Sequence, residues 1–317
     1  MIDLDWLKGR RCVILGGRGF IGQHLVELLV SRDATVVTFG RGHTGMPSRE
    51  SAQVQHLTGS MLDTDLVASL FRAEDYVFHL VDSSFPGARP DDVAAVLESV
   101  TIPTAKLLVA CAKARVKKVI FVSSGGAVYG ISTSHIHTED SPTNPISAYG
   151  LGKLATEKSI QLAHHLSGLE YAILRVSNPY GPGQAAGRGQ GLVSAVMKNF
   201  MDSAEIEVWG DGQVVRDFVY VGDVAVALAK AALYEGSKIV LNVGSGRGRR
   251  VVDVITDIKA LVPGSQSVLV YKAGRPADVP ISVLDVTRAR DELGWQADTP
   301  WIDGLRATLD WLHASAQ

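Results

Sequence analysis

Tyr149 and Lys153 stand four residues apart in A-Y-G-L-G-K, the spacing that presents two side chains on one face of a helix. A phenol titrates at about 10 in water and is a poor base near neutrality, but an adjacent ammonium favours the phenolate. The pair therefore suits proton exchange with a substrate hydroxyl while hydride moves to or from a nicotinamide, whose positive charge would add to the same bias. The lysine is also suited to hold the nicotinamide ribose. A dinucleotide needs a phosphate-binding turn, and Gly16, Gly17, Gly19 and Gly22 in I-L-G-G-R-G-F-I-G supply one. They satisfy G-x-x-G-x-x-G and, from Gly17, G-x-G-x-x-G between a strand and a helix. Glycine there allows the tight turn, the approach of backbone N–H groups to a pyrophosphate, and close helix–strand packing.

NAD sites of this kind place an acid at the end of the second strand to bind the ribose 2′-hydroxyl. Here that strand ends in Phe39-Gly40-Arg41-Gly42. Arg41 offers a planar fork to a 2′-phosphate, and Arg18 in the glycine turn can assist. The expected cofactor is NAD or NADP, with the charge pattern favouring NADP.

The elements that must hold these residues are legible from periodicity. Short β-branched runs at Arg11–Leu15, Thr35–Phe39, Val54–Leu57, Tyr76–Val81, Val119–Ser123 and Tyr171–Val176 alternate with helical stretches at Ile21–Val30, Asp65–Phe71, Asp92–Ala114 and Ala148–Leu166. That alternation predicts an α/β fold, a Rossmann-type doubly wound parallel sheet covered on both faces. After Asn178 the texture changes to the glycine-rich stretch 181–191, a helix at Leu192–Met201 and a strand at Ile206–Trp209. Helices follow at Val221–Leu233, Val251–Leu261 and Trp301–Leu312, with a strand at Lys238–Asn242. The expected organisation is a dinucleotide-binding domain over 1–176 with returns near 215–262, and a smaller, interleaved C-terminal α/β substrate domain from 177–214 and 263–300. A C-terminal helix lies in 301–317.

Composition excludes several classes. With 317 residues, 31 basic and 33 acidic side chains and a net charge of −2, the chain has no general attraction to nucleic acid or anionic membrane. Two cysteines are too few for a disulfide framework. The N-terminus has no secretory pattern and no apolar run suggests a membrane span, so a cytoplasmic protein is expected. His135, His137, Glu139 and Asp140 read as a polar loop without metal-ligand spacing, so no metal is expected. His164 and His165 read as partners of a helix C-terminus. Arg247, Arg249 and Arg250 read either as a solvated loop or as phosphate contacts.

The glycine turn, Tyr149 and Lys153 do not stand alone. The chain also carries FHL at Phe78–Leu80, FVSSGGAVYG at Phe121–Gly130, LRVSNPYGPGQ at Leu174–Gln184, VRDFVYVGDVA at Val215–Ala225, NVGSG at Asn242–Gly246 and GRPADVP at Gly274–Pro280. Together these resemble the extended short-chain dehydrogenase/reductase family, and within it the NAD(P)-dependent nucleotide-sugar epimerases and dehydratases, over nearly the whole chain. The resemblance implies that Ser124, by its position at the end of the fifth strand, is the catalytic hydroxyl beside Tyr149 and Lys153, with Ser123 the less favoured candidate; counting back from Val128-Tyr129-Gly130 reaches Gly125 instead, because this loop is one residue longer than usual. It implies cofactor contacts at Phe20, Ile21, Ser60, Met61 and Leu80. It also implies a substrate phosphate or sugar contact at Asn178, pyrophosphate ligands at Arg216 and Arg275, and a nucleoside contact at Asp278. Ser60-Met61 and the stretch Val81-Asp82-Ser83 depart from the usual pattern.

Sugar dehydratases of the family carry an Asp-Glu pair just after the catalytic hydroxyl. Gly125-Gly126-Ala127 stands there instead, leaving no proton donor or acceptor for dehydration. Of the activities the resemblance implies, the one expected first is 4-epimerisation of a nucleotide-diphosphate sugar through a 4-keto intermediate. The alternatives are an NADPH-dependent reductase of a 4-keto nucleotide sugar and a non-catalytic cofactor-binding protein on the same fold. By analogy with the family, helices 92–114 and 148–166 are expected to pair across a two-fold axis in a homodimer.

Overall fold

A computed structural model of the chain describes residues 2–42, 53–81, 93–132, 134–185, 191–274 and 279–315. The first apolar run forms β1 (Arg11–Leu15), and the glycine turn leads into α1 (Phe20–Ser31). β2 (Thr35–Gly40), β3 (Val54–Thr58), α2 (Thr64–Ser69) and β4 (Tyr76–His79) follow. α3 (Val93–Val96) continues through a π-helical turn at Leu97–Thr101 into α4 (Ile102–Ala114). Next come β5 (Lys118–Ser124), the two-residue β6 (Ile136–His137), α5 (Ala148–Ser167), β7 (Tyr171–Val176) and β8 (Asn178–Tyr180). The remainder is α6 (Leu192–Met201), β9 (Ile206–Trp209), β10 (Val215–Tyr220), α7 (Val221–Leu233), β11 (Val240–Val243), β12 (Gly248–Arg250), α8 (Val251–Leu261), β13 (Leu269–Lys272), β14 (Ile281–Leu284), α9 (Thr287–Leu293) and α10 (Trp301–Ser315).

Seven strands form one sheet in the order β11-β7-β5-β4-β1-β2-β3, with every neighbouring pair parallel. Side chains alternate across it, as the pleat requires. Ile120 and Val122 of β5 join the apolar layer beneath α1 and α7, whereas Val119 and Phe121 join the layer beneath α4 and α5. This is the doubly wound architecture the alternation predicts. Because β1 lies between β2 and β4, the chain leaves it in opposite directions. The crevice at the carboxyl ends of these strands is where such sheets bind dinucleotides.

A second sheet has the order β12-β10-β14-β6, with β8 paired to β10. A third apolar layer beneath α6, α8 and α10 includes Tyr180, Phe200 and Phe218. Of the stretch 215–262 expected to return to the first sheet, α7 and β11 do so, whereas β10 and β12 belong to the second sheet and α8 packs on α6. β9 and β13 form a separate parallel pair.

The helix over Val93–Ala114 is long and apolar enough, by length and composition, to cross a membrane, contrary to the expectation of no such run. Here it packs against α5 and buries Leu107, Leu108 and Cys111, while Ile102 and Val109 remain exposed.

Candidate active site

The glycine turn closes on itself so tightly that only hydrogen fits at two places, and a positive φ favours glycine at a third. A Cβ on Gly17 would lie 2.5 Å from the Thr38 side chain, and one on Gly22 would lie 2.2 Å from the Gly16 carbonyl oxygen. Gly16 adopts φ +87° and approaches the Leu80 backbone. Gly19 begins α1 in extended conformation without a side-chain cap, so N–H groups of the first turn remain available to a ligand. A backbone cradle at a helix N-terminus fits a dinucleotide pyrophosphate. Phe20 and Ile21 open this helix, Leu80 borders the turn, and Met61 packs on the neighbouring apolar layer. Ser60 is exposed and accepts the Leu62 N–H at 3.2 Å. The end of β2 carries Gly40 and the exposed Arg41, with no carboxylate.

α5 is positioned by its ends and its glycines. Ser147 caps its start by accepting the Gly150 N–H, and Gly168 ends it at φ +70°. A Cβ on Gly150 would lie 2.5 Å from the Ala127 carbonyl oxygen, and one on Gly152 would lie 2.4 Å from the Val96 side chain. The two glycines flanking Leu151 thus bring the helix against both the loop after β5 and α3. Tyr149 is half-buried and Lys153 buried, and Lys153 reaches back to β5. Lys153 Nζ donates to the Val122 carbonyl at 2.8 Å and lies 5.7 Å from the Tyr149 ring centre.

The two serines at the end of β5 have different surroundings. Ser123 donates its hydroxyl to the wholly buried carboxylate of Glu157. Ser124 has no side-chain hydrogen bond among the described residues, and its carbonyl receives the N–H groups of Ala127 and Val128. The hydroxyl open to a ligand is that of Ser124. A Cβ on Gly125 would lie 2.5 Å from Leu284, whereas one on Gly126 would meet nothing within 4 Å.

On the other side of the cleft, Asn178 donates to the Asp217 carbonyl at 2.9 Å. Arg216 turns its guanidinium onto the carbonyls of Val215 and Val279. Arg275 and Asp278 lie outside the described residues, as do Asp82 and residues 186–190 of the glycine-rich stretch. In the basic cluster, Arg249 stacks on Trp301 at 4.4 Å and Arg250 forks onto Asp253 at 2.7 Å, so both are committed to protein partners. His164 sits in the last turn of α5 and bonds the Leu169 carbonyl.

A group of buried polar residues was not apparent from the sequence. His137 and Glu139, expected in a polar loop, are buried. The His137 ring stacks on Tyr129 at 4.8 Å, and burial lowers its pKa below the ordinary 6.5. Glu139 accepts the Asn242 N–H at 2.8 Å and faces Arg288 at 3.5 Å, while burial raises its pKa. Arg175 forks onto Glu157 and also reaches Tyr129 and the Glu139 carbonyl. The stacked rings of Tyr129 and His137 and the 4.8 Å between them are the signal of a packed histidine, and no cluster suited to a metal occurs among the described residues.

Comparison with known proteins places this arrangement. A UDP-glucose 4-epimerase of Mycolicibacterium smegmatis is 30% identical over 314 residues, covering 97% of this chain and 100% of that protein. The crystal structure of a UDP-glucose 4-epimerase from Thermotoga maritima with UDP-glucose superposes with a TM-score of 0.91 at 32% identity, covering 97% of this chain and 100% of that one. The Thermus thermophilus UDP-glucose 4-epimerase in complex with NAD gives a TM-score of 0.88 at 29% identity, covering 96% and 99%. Residues 12–244, from β1 through β11 and so including the glycine turn and the α5 pair, match the model of the NAD dependent epimerase/dehydratase family, and the chain belongs to that family.

Proposed function

We propose that this chain is a nucleotide-sugar 4-epimerase. The observation that carries the reading is the Tyr149–Lys153 pair on α5, its lysine bonded to the Val122 carbonyl two residues before Ser124, whose hydroxyl stays available, while residues 125–127 offer no carboxylate. Tyr149 takes the proton of the sugar C4 hydroxyl as phenolate and returns it later. Lys153 stabilises that phenolate, and Ser124 donates to the C4 oxygen as it gains carbonyl character. The glycine turn and the start of α1 would hold a dinucleotide, which would supply hydride acceptance and return. Asn178, Arg216, Arg275 and Asp278 anchor the nucleotide-diphosphate half through that rotation. Binding would draw the Arg216 guanidinium from its present carbonyl partners.

The deciding experiment supplies the purified protein with UDP-glucose and follows the C4 epimer by NMR alongside nicotinamide absorbance. Appearance of UDP-galactose with no net absorbance change supports epimerisation. Consumption of NADPH with a 4-keto nucleotide sugar supports the reductase reading, which the acid-free Gly40-Arg41 terminus of β2 favours. Turnover of neither, repeated with other nucleotide-diphosphate hexoses, leaves a cofactor-binding protein. We read the same terminus as preferring NADP over NAD, and extraction of the copurifying nucleotide checks this directly.

We also propose a homodimer. Ile102 and Val109 on α4 and Leu151, Leu162 and Leu166 on α5 are exposed, each set repeating along one face of its helix, and the two helices pack side by side. Such a patch suits a matching patch on a second copy.

A further inference from the structure

We propose that Glu157 is a positioning residue for this reaction, acting through Ser123 and Arg175; the inference rests on the epimerase reading above. Glu157 lies one turn beyond Lys153 and two beyond Tyr149, so the three form one stripe along α5. Its carboxylate is wholly buried and takes the Ser123 hydroxyl together with the Arg175 fork, from Nε at 3.1 and 3.3 Å and from Nη2 at 2.7 Å. Ser123 and Arg175 are register partners on the adjacent strands β5 and β7. One carboxylate thus ties the catalytic helix to two strands at once, immediately before Ser124.

Stability alone does not account for such a group. Removing an Arg and a Glu from water costs about as much as their attraction returns, and apolar side chains of similar volume serve as well or better. What the pair supplies is direction. Apolar contacts allow a helix to slide or turn by fractions of a residue, whereas a bidentate fork plus a serine bond fix both its rotation and its height above the sheet. Arg175 extends the constraint to the other side of the site. Its Nη1 donates to the Tyr129 hydroxyl and the Glu139 carbonyl, each at 3.1 Å, and Tyr129 in turn donates to Asn242 at 2.6 Å. The loop that follows Ser124 is therefore set by the guanidinium that sets α5. A phenolate and a serine hydroxyl converging on one sugar oxygen need that fixed relation, because a misplacement of about 1 Å costs on the order of a hundredfold in rate.

Ser123→Ala tests this with the buried ion pair intact, and Glu157→Gln tests it with side-chain shape retained. Each variant is measured for kcat, KM, the pH profile of kcat and Tm. The phenol of Tyr149 is titrated separately by near-ultraviolet difference between each protein and its Tyr149→Phe version, with and without added NAD or NADP. We expect Ser123→Ala to lower kcat about tenfold or more with KM within about threefold. Its acid limb moves to higher pH and the phenol titrates higher, because Lys153 no longer holds its place beside the ring. Where Glu157→Gln fails to fold, Ser123→Ala carries the test. Unchanged kcat and acid limb in the folded variants, whatever their Tm, would overturn the proposal and leave Glu157 a staple. If the native protein turns over no nucleotide sugar, the epimerase reading fails by itself. The phenol titration then decides the positioning role: an unshifted phenol overturns it.

Discussion

Lys153 lies between two rings, 5.7 Å from the centre of Tyr149 and 5.0 Å from that of Phe121, with its ammonium on the Val122 carbonyl. The Val122 carbonyl thus holds the cation beside the Tyr149 ring before any ligand arrives. Substituting Lys153 by Met should lower kcat by about a hundredfold or more and move the acid limb of the pH profile upward. Tyr149→Phe should reduce kcat at least as much, with nucleotide-sugar KM little changed. Steady-state kinetics across pH check both.

The glycines near the site differ in what they exclude. Gly22→Ala puts a methyl 2.2 Å from the Gly16 carbonyl, whereas Gly126→Ala puts one in open space. Gly22→Ala should lose most of its bound nucleotide and some thermal stability, and Gly126→Ala should lose neither. Nucleotide content after purification and Tm separate them.

The stacked His137 makes stability pH-dependent. Its folded pKa lies below the ordinary 6.5, so protonation favours the unfolded chain. Its contribution is complete above pH 6.5 and declines as pH falls toward the lowered folded value. His137→Phe keeps a ring against Tyr129 and should flatten that decline. Denaturant midpoints measured from neutral to mildly acidic pH provide the check.

Placing a charge on the exposed apolar seam should separate subunits. Val109→Glu or Leu162→Glu should convert a dimer to a species of half the mass while leaving secondary structure intact. Sedimentation at micromolar concentration reads the outcome; a native protein that is already monomeric refutes the interface.

The elements of the first sheet were legible because each is encoded by its own residues. Arg11–Leu15 and Tyr171–Val176 are apolar runs of strand length, and α7 at Val221–Leu233 shows helical periodicity without help from its neighbours. The second sheet was largely illegible. β6 and β8 are two and three residues long, and β8 becomes a strand only by pairing with β10, about forty positions away. The same contrast holds at the site. Tyr149 and Lys153 announce themselves by helical spacing, as the glycine turn does by density. Glu157, Arg175, Tyr129 and Asn242 are polar residues distributed over more than a hundred positions, and each alone reads as surface. Their burial follows from mutual satisfaction, which single-residue polarity does not encode.

Asn242 occupies a place where the two sheets meet. It sits on β11 of the first sheet, yet its N–H goes to Glu139 and its side-chain amide to the carbonyls of His137 and Asp285, beside β6 and β14 of the second. Its amide oxygen accepts from Tyr129. Recombination between relatives would therefore meet a hidden linkage. A chimaera that takes its first half from one parent and its second from another, cut after β7, would inherit Tyr129 and Glu139 from one and Asn242 from the other. The side chains that must match across such a crossover are these three, because His137 and Asp285 contribute only backbone carbonyls.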